Sequence, residues 1–325
     1  MSAVPVLHDF LPSWQRTEAA LNGYVLGQER VVRLLLASIL AGGHALLVGP
    51  PGVAKTTLVE GAAAVLGLAH QRVQGTPDVL PGDILGAEIL DSDAAGKRQF
   101  RFVPGPIFTN ILLFDEINRT SPRTQSALLQ AMQEREVAVS GVSRPLPAPF
   151  HVLASQNPLD YEGTYPLPEV QLDRFLVALP LGYPDAAVEK AVLLATTSGT
   201  RALPETVLNA DIVQQSQAGL QRAAIGDALV DKLLHLVRET RPETSSVSEV
   251  KQYLRLGASA RAGQALMLLT RAVAFLDGRA APSPDDVKLL APVVLAHRMA
   301  LNPSALAAGV QPGDIVSAVV RACGL

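Results

Sequence analysis

Cysteine is all but missing from this 325-residue chain: Cys323, two residues from the end, stands alone. No disulfide can form within the chain, which fits a reducing, cytoplasmic setting. A positive charge balance is missing too. The net charge is -3 and the isoelectric point about 6.1, so the overall field offers no footprint for nucleic acid, and no helix-turn-helix or zinc module appears. The opening MSAVPVLHDFLPSWQR has no basic stretch leading into an apolar core, so no secretory signal is expected. Long hydrophobic runs are also absent. The most apolar long segment, Val31 to Val48, is interrupted by Arg33, two glycines and His44, too often for a membrane span. The histidines (His8, His44, His70, His151, His235, His297) are scattered without H-x-x-x-H spacing, so each reads as a surface or core residue rather than a metal ligand. What is present is apolar substance: 48% of residues are hydrophobic and only 18% charged. At this length that suffices for two globular domains, each with its own core.

The stretch HALLVGPPGVAKTT, His44 to Thr57, organises the rest. Ala45-Leu46-Leu47-Val48 suits a strand buried on both faces. Gly49-Pro50-Pro51-Gly52 breaks it, and from Val53 the apolar spacing of a helix begins. Strand, tight loop and helix N-terminus form an anion site, because unpaired N–H groups of the first turn converge and the helix dipole favours negative charge. Lys55 adds a point charge for the β- and γ-phosphates of a nucleotide, Thr56 a hydroxyl for Mg²⁺, and Gly49, Pro51, Gly52, Val53, Ala54 and Thr57 complete the cradle. This is a P-loop with one departure: Ala54 stands where the general pattern has its second glycine. A Cβ there predicts that Ala54 keeps a negative φ.

Strands alternating with helices up to residue 184 predict an α/β nucleotide-binding domain, a mostly parallel sheet covered by helices on both faces. Buried strands are expected at 45–48, 69–74, 110–114, 150–155 and 175–179, and hairpins at 87–103 (tip at Asp91 to Gly96) and 136–146. From 185 to 325 only helical spacing remains, near 185–197, 208–221, 226–240, 248–256, 261–277, 284–299 and 312–323, predicting an all-helical second domain. Ligands of such sheets bind at the carboxyl ends of the strands, where Gly49, Asp115, Asn157 and Pro180 fall.

Asp115-Glu116 follows the apolar strand ILLF, 60 residues after Lys55. Asp115 can hold Mg²⁺, directly or through water, and Glu116 can orient and deprotonate the attacking water. Asn157 ends the neighbouring strand with an amide able to bond both γ-phosphate and water.

The stretches LLVGPPGVAKTTL, ILLFDEINRTSPRTQSALLQAMQE, VLASQNPLDYEGTYPLPEVQLDRF and LGASARAGQAL resemble the MoxR-type ATPases of the AAA+ superfamily. The likeness runs from about Gly23 to Met299. It implies roles residue by residue. Tyr24, Val25, Leu26, Gly27 and Gln28 would pack on adenine; Lys55 and Thr56 form Walker A, Asp115 and Glu116 Walker B, and Asn157 sensor 1. Arg174 resembles an arginine finger that enters the neighbouring subunit's site, and Arg261 the sensor 2 arginine that reaches the γ-phosphate from the lid. Family members usually have proline where this chain has Ala260. A forked, always-charged guanidinium suits phosphoryl transfer, although each arginine can equally serve a structural ion pair. The two hairpins correspond to a helix-2 insert and a pre-sensor-1 hairpin, which face the pore in related rings.

A finger in trans implies a head-to-tail homo-oligomeric ring, expected to be a hexamer. The resemblance further implies a chaperone-like remodeller of protein clients, working with a von Willebrand factor A domain protein in metal insertion or complex maturation. Two other readings compete: a nucleotide-gated scaffold with negligible hydrolysis, which the intact Glu116, Asn157 and Arg174 argue against, and a DNA-linked motor, which the mild acidity argues against.

Overall fold

The computed structural model describes residues 7–92, 98–159, 163–197 and 202–325. A 3-10 turn, Leu7–Phe10, leads into helices α1 (Leu11–Tyr24) and α2 (Glu29–Leu40). Then come β1 (Ala45–Val48), α3 (Lys55–Leu66), β2 (His70–Gln74), α4 (Pro81–Leu85), a hairpin of β3 (Gly86–Ser92) and β4 (Arg98–Pro104), and β5 (Ile111–Asp115). They are followed by α5 (Pro122–Glu134), a second hairpin of β6 (Glu136–Val139) and β7 (Val142–Pro145), β8 (His151–Gln156), the short α6 (Glu169–Leu172) and β9 (Val177–Pro180). The first hairpin's expected tip falls mostly on 93–97, outside the described residues.

The sheet has the order β2-β5-β8-β1-β9, and every neighbouring pair is parallel. Side chains of a strand alternate between faces, and here the alternation divides two cores. Ala45, Leu47, Ile111, Leu113 and Leu153 join the core beneath α1, α2 and α3. Leu46, Leu112, Phe114, Val152 and Ala154 join the opposite one, closed by Leu128, Leu129 and Met132 of α5. An unbroken apolar strand such as ILLF is what a sheet buried on both faces requires.

The remaining chain folds as α7 (Ala186–Thr197), α8 (Ala210–Arg222), α9 (Asp227–Glu239), α10 (Ser248–Tyr253), β10 (Leu254–Leu256), α11 (Ala260–Leu276), α12 (Pro284–Leu295), β11 (Ala300–Leu301), α13 (Pro303–Ala307) and α14 (Pro312–Ala322). The expectation of an all-helical domain needs one correction. β10 and β11 pair as a small antiparallel ribbon. A run of three residues has no room for a readable period, so LRL passed for the end of a helix.

This helical part is docked, not tethered. Trp14 of α1 is fully buried and donates from Nε1 to Ser216 Oγ of α8 at 3.0 Å. The tightest anchor is Arg298, just after α12, whose side chain is 2% exposed. Its guanidinium pairs with Asp173 at 2.8 Å and donates to the carbonyls of Phe175 (2.6 Å), Leu176 (3.2 Å) and Val294. Asp173 also accepts from Ser259 Oγ at 2.8 Å, the N-cap of α11. Cutting such a pair strands a charge and several carbonyls. Arg298→Met is therefore expected to lower unfolding stability by about 3 kcal/mol, the lower part of the range for breaking a buried pair because Asp173 keeps some solvent. Urea denaturation of the variant measures it.

Candidate active site

A cavity of about 500 Å³ opens at the carboxyl ends of β1, β5 and β8. Pro51, Gly52, Ala54, Lys55, Thr56 and Thr57 line one side, and Arg72, Asp115, Glu116 and Asn157 the other. Residues from three strand ends and one helix N-terminus thus meet in one place. Gly52 has φ +80°, and Ala54, the N-cap of α3, lies in the left-handed region at φ +62°. The expected negative φ at Ala54 is corrected. The chain must turn from β1 into the axis of α3 within six residues, and the left-handed turn accomplishes it. Alanine bears this at a cost of about 1 kcal/mol, and its small Cβ spares it the further strain of a β-branched or bulky side chain. Lys55, nearly buried, donates from Nζ to Gly49 O at 2.7 Å. Val53 is buried beneath the loop.

Asp115 and Glu116 are held by groups the sequence did not single out. Ser155 Oγ donates to Asp115 Oδ1 at 2.5 Å and accepts the Glu116 N–H at 2.8 Å. Arg72 Nη2 pairs with Asp115 Oδ2 at 2.7 Å. Gln74 Nε2 donates to Glu116 Oε2 at 2.9 Å, and Arg119 Nε lies 3.2 Å from that oxygen. Glu116 itself has φ +55°, which turns its side chain away from the direction of Asp115. The missed signal is legible in retrospect: HQRVQ is polar at four of five positions, as suits an edge strand, here paired to the strand that ends in Asp115. Asn157 is 7% exposed, and its Oδ1 accepts the Leu159 N–H at 3.1 Å, so the amide NH₂ remains as donor toward the cavity it lines.

Tyr24 to Gln28 do not line this cavity; they sit beside it. A Cβ on Gly61 of α3 would come within 2.6 Å of the Tyr24 ring. Gly27, at φ +71°, lies against Val188 of α7, and Gln28 Nε2 donates to Gly182 O at 3.2 Å. Val25 is buried, and Leu26 is half-buried in the same turn.

Arg174 and Arg261 lie elsewhere. They share a second cavity, of about 290 Å³, with Gly43, His44, Arg135 and Arg298. His44 precedes β1 and Leu176 precedes β9, so this cavity lies at the amino end of the sheet. From His44 to Gly49 the chain advances on the order of 15 Å along β1. Arg174 donates to Leu129 O at 2.6 Å, and the charge of Arg261 bears on Arg298. Arg261 is expected to reach its own chain's γ-phosphate from the lid; the structure instead places it with Arg174 in the cavity at the amino end of the sheet, and neither arginine lines the cavity at the P-loop.

A P-loop, an acidic pair ending the strand two places away in the sheet, a polar residue ending the strand between and a docked helical domain define an AAA-type nucleotide-binding fold. The sequence profile of the ATPase family associated with various cellular activities (AAA) matches residues 44–177, and the AAA lid domain profile matches 247–319. The chaperone MoxR1 of Mycobacterium tuberculosis is 38% identical over 93% of this chain and 79% of its own. The protein MoxR of Paracoccus denitrificans is 33% identical over 92% of this chain and 91% of its own. A crystal structure of a presumptive ATPase from Cytophaga hutchinsonii, 35% identical, superposes with a TM-score of 0.89 over 96% of this chain and 94% of that one. The chain belongs to the MoxR-type AAA+ ATPases.

Proposed function

We propose that the protein is a Mg²⁺-dependent ATP hydrolase that works as a head-to-tail homo-oligomeric ring, with six subunits as the expected number, and remodels protein clients. The observation that carries this reading is the convergence of Lys55, Thr56, Asp115, Glu116 and Asn157 on one cavity while Arg174 and Arg261 stand at the opposite end of the sheet. Such an arrangement is complete only when one subunit's arginine end meets another's P-loop.

In this reading the N–H groups at the start of α3 and Lys55 bind the phosphates. Glu116 accepts the proton of the attacking water, and Asn157 donates to the γ-phosphate oxygens. Arg174 and Arg261 of the neighbour neutralise the charge that builds in transfer. The metal fits the donors present. Thr56 and Asp115 offer hard oxygens, and among the described residues no group of three or more His, Cys, Asp or Glu stands ready to hold an ion unaided. Thr56 and Asp115 would hold Mg²⁺ with phosphate and water completing its shell, and the ion would supply charge neutralisation at the phosphates.

A protein client is supported by the hairpins. Leu90 and Phe100 are cross-strand partners on β3 and β4 and are 54% and 74% exposed. Arg144 of β7 stacks 4.0 Å over Phe102 and joins the second hairpin to the first. The name of the mycobacterial relative points the same way. A von Willebrand factor A domain partner and metal insertion rest on family resemblance, and a cytoplasmic location on the lone cysteine. Among the described residues no helix is long and apolar enough to cross a membrane.

Glu116→Gln tests the chemistry. It is expected to keep ATP binding and to lower steady-state phosphate release about 100-fold or more, the usual contribution of a general base. Equal rates in wild type and variant would favour the non-hydrolysing scaffold. The trapped variant, pulled down with ATP, identifies the client, and recovery of nucleic acid alone would overturn the protein-client reading.

A further inference from the structure

The guanidinium of Arg72 occupies the place where a cation is needed. Arg72 and Gln74 lie two residues apart on the edge strand β2 and so project on one side of it. In register, Gln74 is opposite Asp115. Both hydrogen bonds of Arg72 leave from Nη2, one to Asp115 Oδ2 at 2.7 Å and one to Gln74 Oε1 at 3.1 Å. Gln74 passes the link on, its amide donating to Glu116 Oε2 at 2.9 Å. With Ser155 on Oδ1, each oxygen of Asp115 already carries a donor, one of them a full positive charge. Arg72 is about half exposed, and it lines the same cavity as Lys55 and Thr56.

A divalent ion arriving alone would have to displace that guanidinium from Asp115 and then sit beside it. A triphosphate changes the balance. It brings several negative oxygens into the cavity that Arg72 lines, and a forked guanidinium matches phosphate oxygens at least as well as one carboxylate oxygen. We propose that Arg72 is an electrostatic gate on the metal site: it holds Asp115 against free divalent cations and yields it when the nucleotide draws the guanidinium toward the phosphates. Metal then enters as the nucleotide complex rather than ahead of it. Arg72 also becomes a positioning residue for Glu116 through Gln74, since its release frees one end of that chain of hydrogen bonds. This inference rests on the cavity being the ATP site.

The test uses Mn²⁺ in place of Mg²⁺ and follows the free-ion signal by electron paramagnetic resonance, with full-length protein and no nucleotide. Wild type is expected to bind Mn²⁺ weakly. Arg72→Gln removes the charge at a half-exposed position and is expected to bind Mn²⁺ about tenfold more tightly, the worth of one charge-assisted hydrogen bond. Adding Asp115→Asn to that variant is expected to abolish the gain. Superimposable isotherms for wild type and Arg72→Gln, or a gain that survives Asp115→Asn, would overturn the gate. Because ATP itself binds Mn²⁺ and quenches the free-ion signal, a parallel titration of wild type with ATP, read against a protein-free Mn²⁺–ATP blank and with bound ATP followed by equilibrium dialysis, separates the two levels. If ATP makes wild type take up Mn²⁺ while Arg72→Gln leaves the free-ion isotherm unchanged, the gate fails and the ATPase reading stands. If wild type binds no ATP, the ATPase reading fails and takes the gate with it.

Discussion

Lys55→Ala and Arg174→Ala, each nearly inactive alone, are expected to regain ATP turnover when mixed. The reason is the separation between the two cavities. Arg174 leaves α6 at the amino end of the sheet, next to Gly43 and His44, whereas Lys55 opens α3 at the carboxyl end. A five-stranded sheet with a core on each face stands between them. No rotamer of Arg174 or Arg261 crosses it. In a ring, however, a Lys55→Ala subunit still presents Arg174 to its neighbour, and an Arg174→Ala subunit still has a working P-loop. Arg174→Ala alone is expected to bind ATP normally and lose about 10³-fold or more in turnover, as trans arginines do in comparable NTPases. In an equal mixture one contact in four pairs an intact loop with an intact finger, so recovery of roughly a quarter of the wild-type rate is expected for random assembly into closed rings. Arg261→Ala in place of Arg174→Ala is expected to behave alike. A mixture that assembles but stays inactive would sink the shared-site arrangement. Recovery for Arg174 but not Arg261 would assign the lid arginine to structure.

Much of this was legible in the chain, and the reasons are specific. ILLF and ALLV are apolar without a break because both faces of their sheet are covered. The P-loop, Asp115 and Asn157 stand out because each follows such a strand, and a parallel sheet brings all those ends to one side. Three kinds of feature were hidden. Backbone conformation was one: nothing in AKTT says that Ala54 accepts φ +62°, since the cost is local and the benefit is set by where α3 must point. Partnerships between distant residues were another. Arg72, Gln74 and Ser155 carry no motif, and their pairing with Asp115 and Glu116 exists only in the register of β2, β5 and β8. Domain placement was the third. The helical period identifies the lid helices but not that Arg298 fastens them near Arg174, at the end of the sheet away from the P-loop.

The histidines read as surface or core residues, and three of them prove to be core in a way that makes the protein sensitive to acid. His44 Nδ1 accepts the Val152 N–H at 2.9 Å while Nε2 faces Met132 O at 3.1 Å. His151 Nδ1 faces Gly43 O at 2.7 Å, and its Nε2 accepts from Gln217 Nε2 at 3.2 Å. Both rings therefore donate from one nitrogen and accept at the other, which leaves no site for a second proton. Burial pushes His44 down to about 3, with His151 and Arg135 adding to the effect. Burial likewise brings His151 to about 4, and burial with the Arg298 charge brings His297 to about 3. In the unfolded chain all three titrate near 6.5. Between these limits the unfolded state binds protons that the fold refuses, so their contribution is fully present above about pH 6.5 and falls as the solution is acidified toward 4. At pH 5 the loss is about 2 kcal/mol for each ring, about 6 in all, a large part of a stability that is ordinarily 5–15 kcal/mol. Glu239 adds loss of the same sign: although burial alone would raise its carboxyl, bonds from Ser246 and Ser245 hold it below its usual range, and its protonation forfeits them. Urea midpoints are thus expected to be flat from pH 8 to 7 and to drop steeply below 6. His297→Gln, which keeps a donor for Phe175 O, is expected to remove about a third of that slope. A midpoint that stays level down to pH 5 would mean that these rings accept protons in the folded state, and that the junction between the sheet's amino end and the lid opens to water to let them do so.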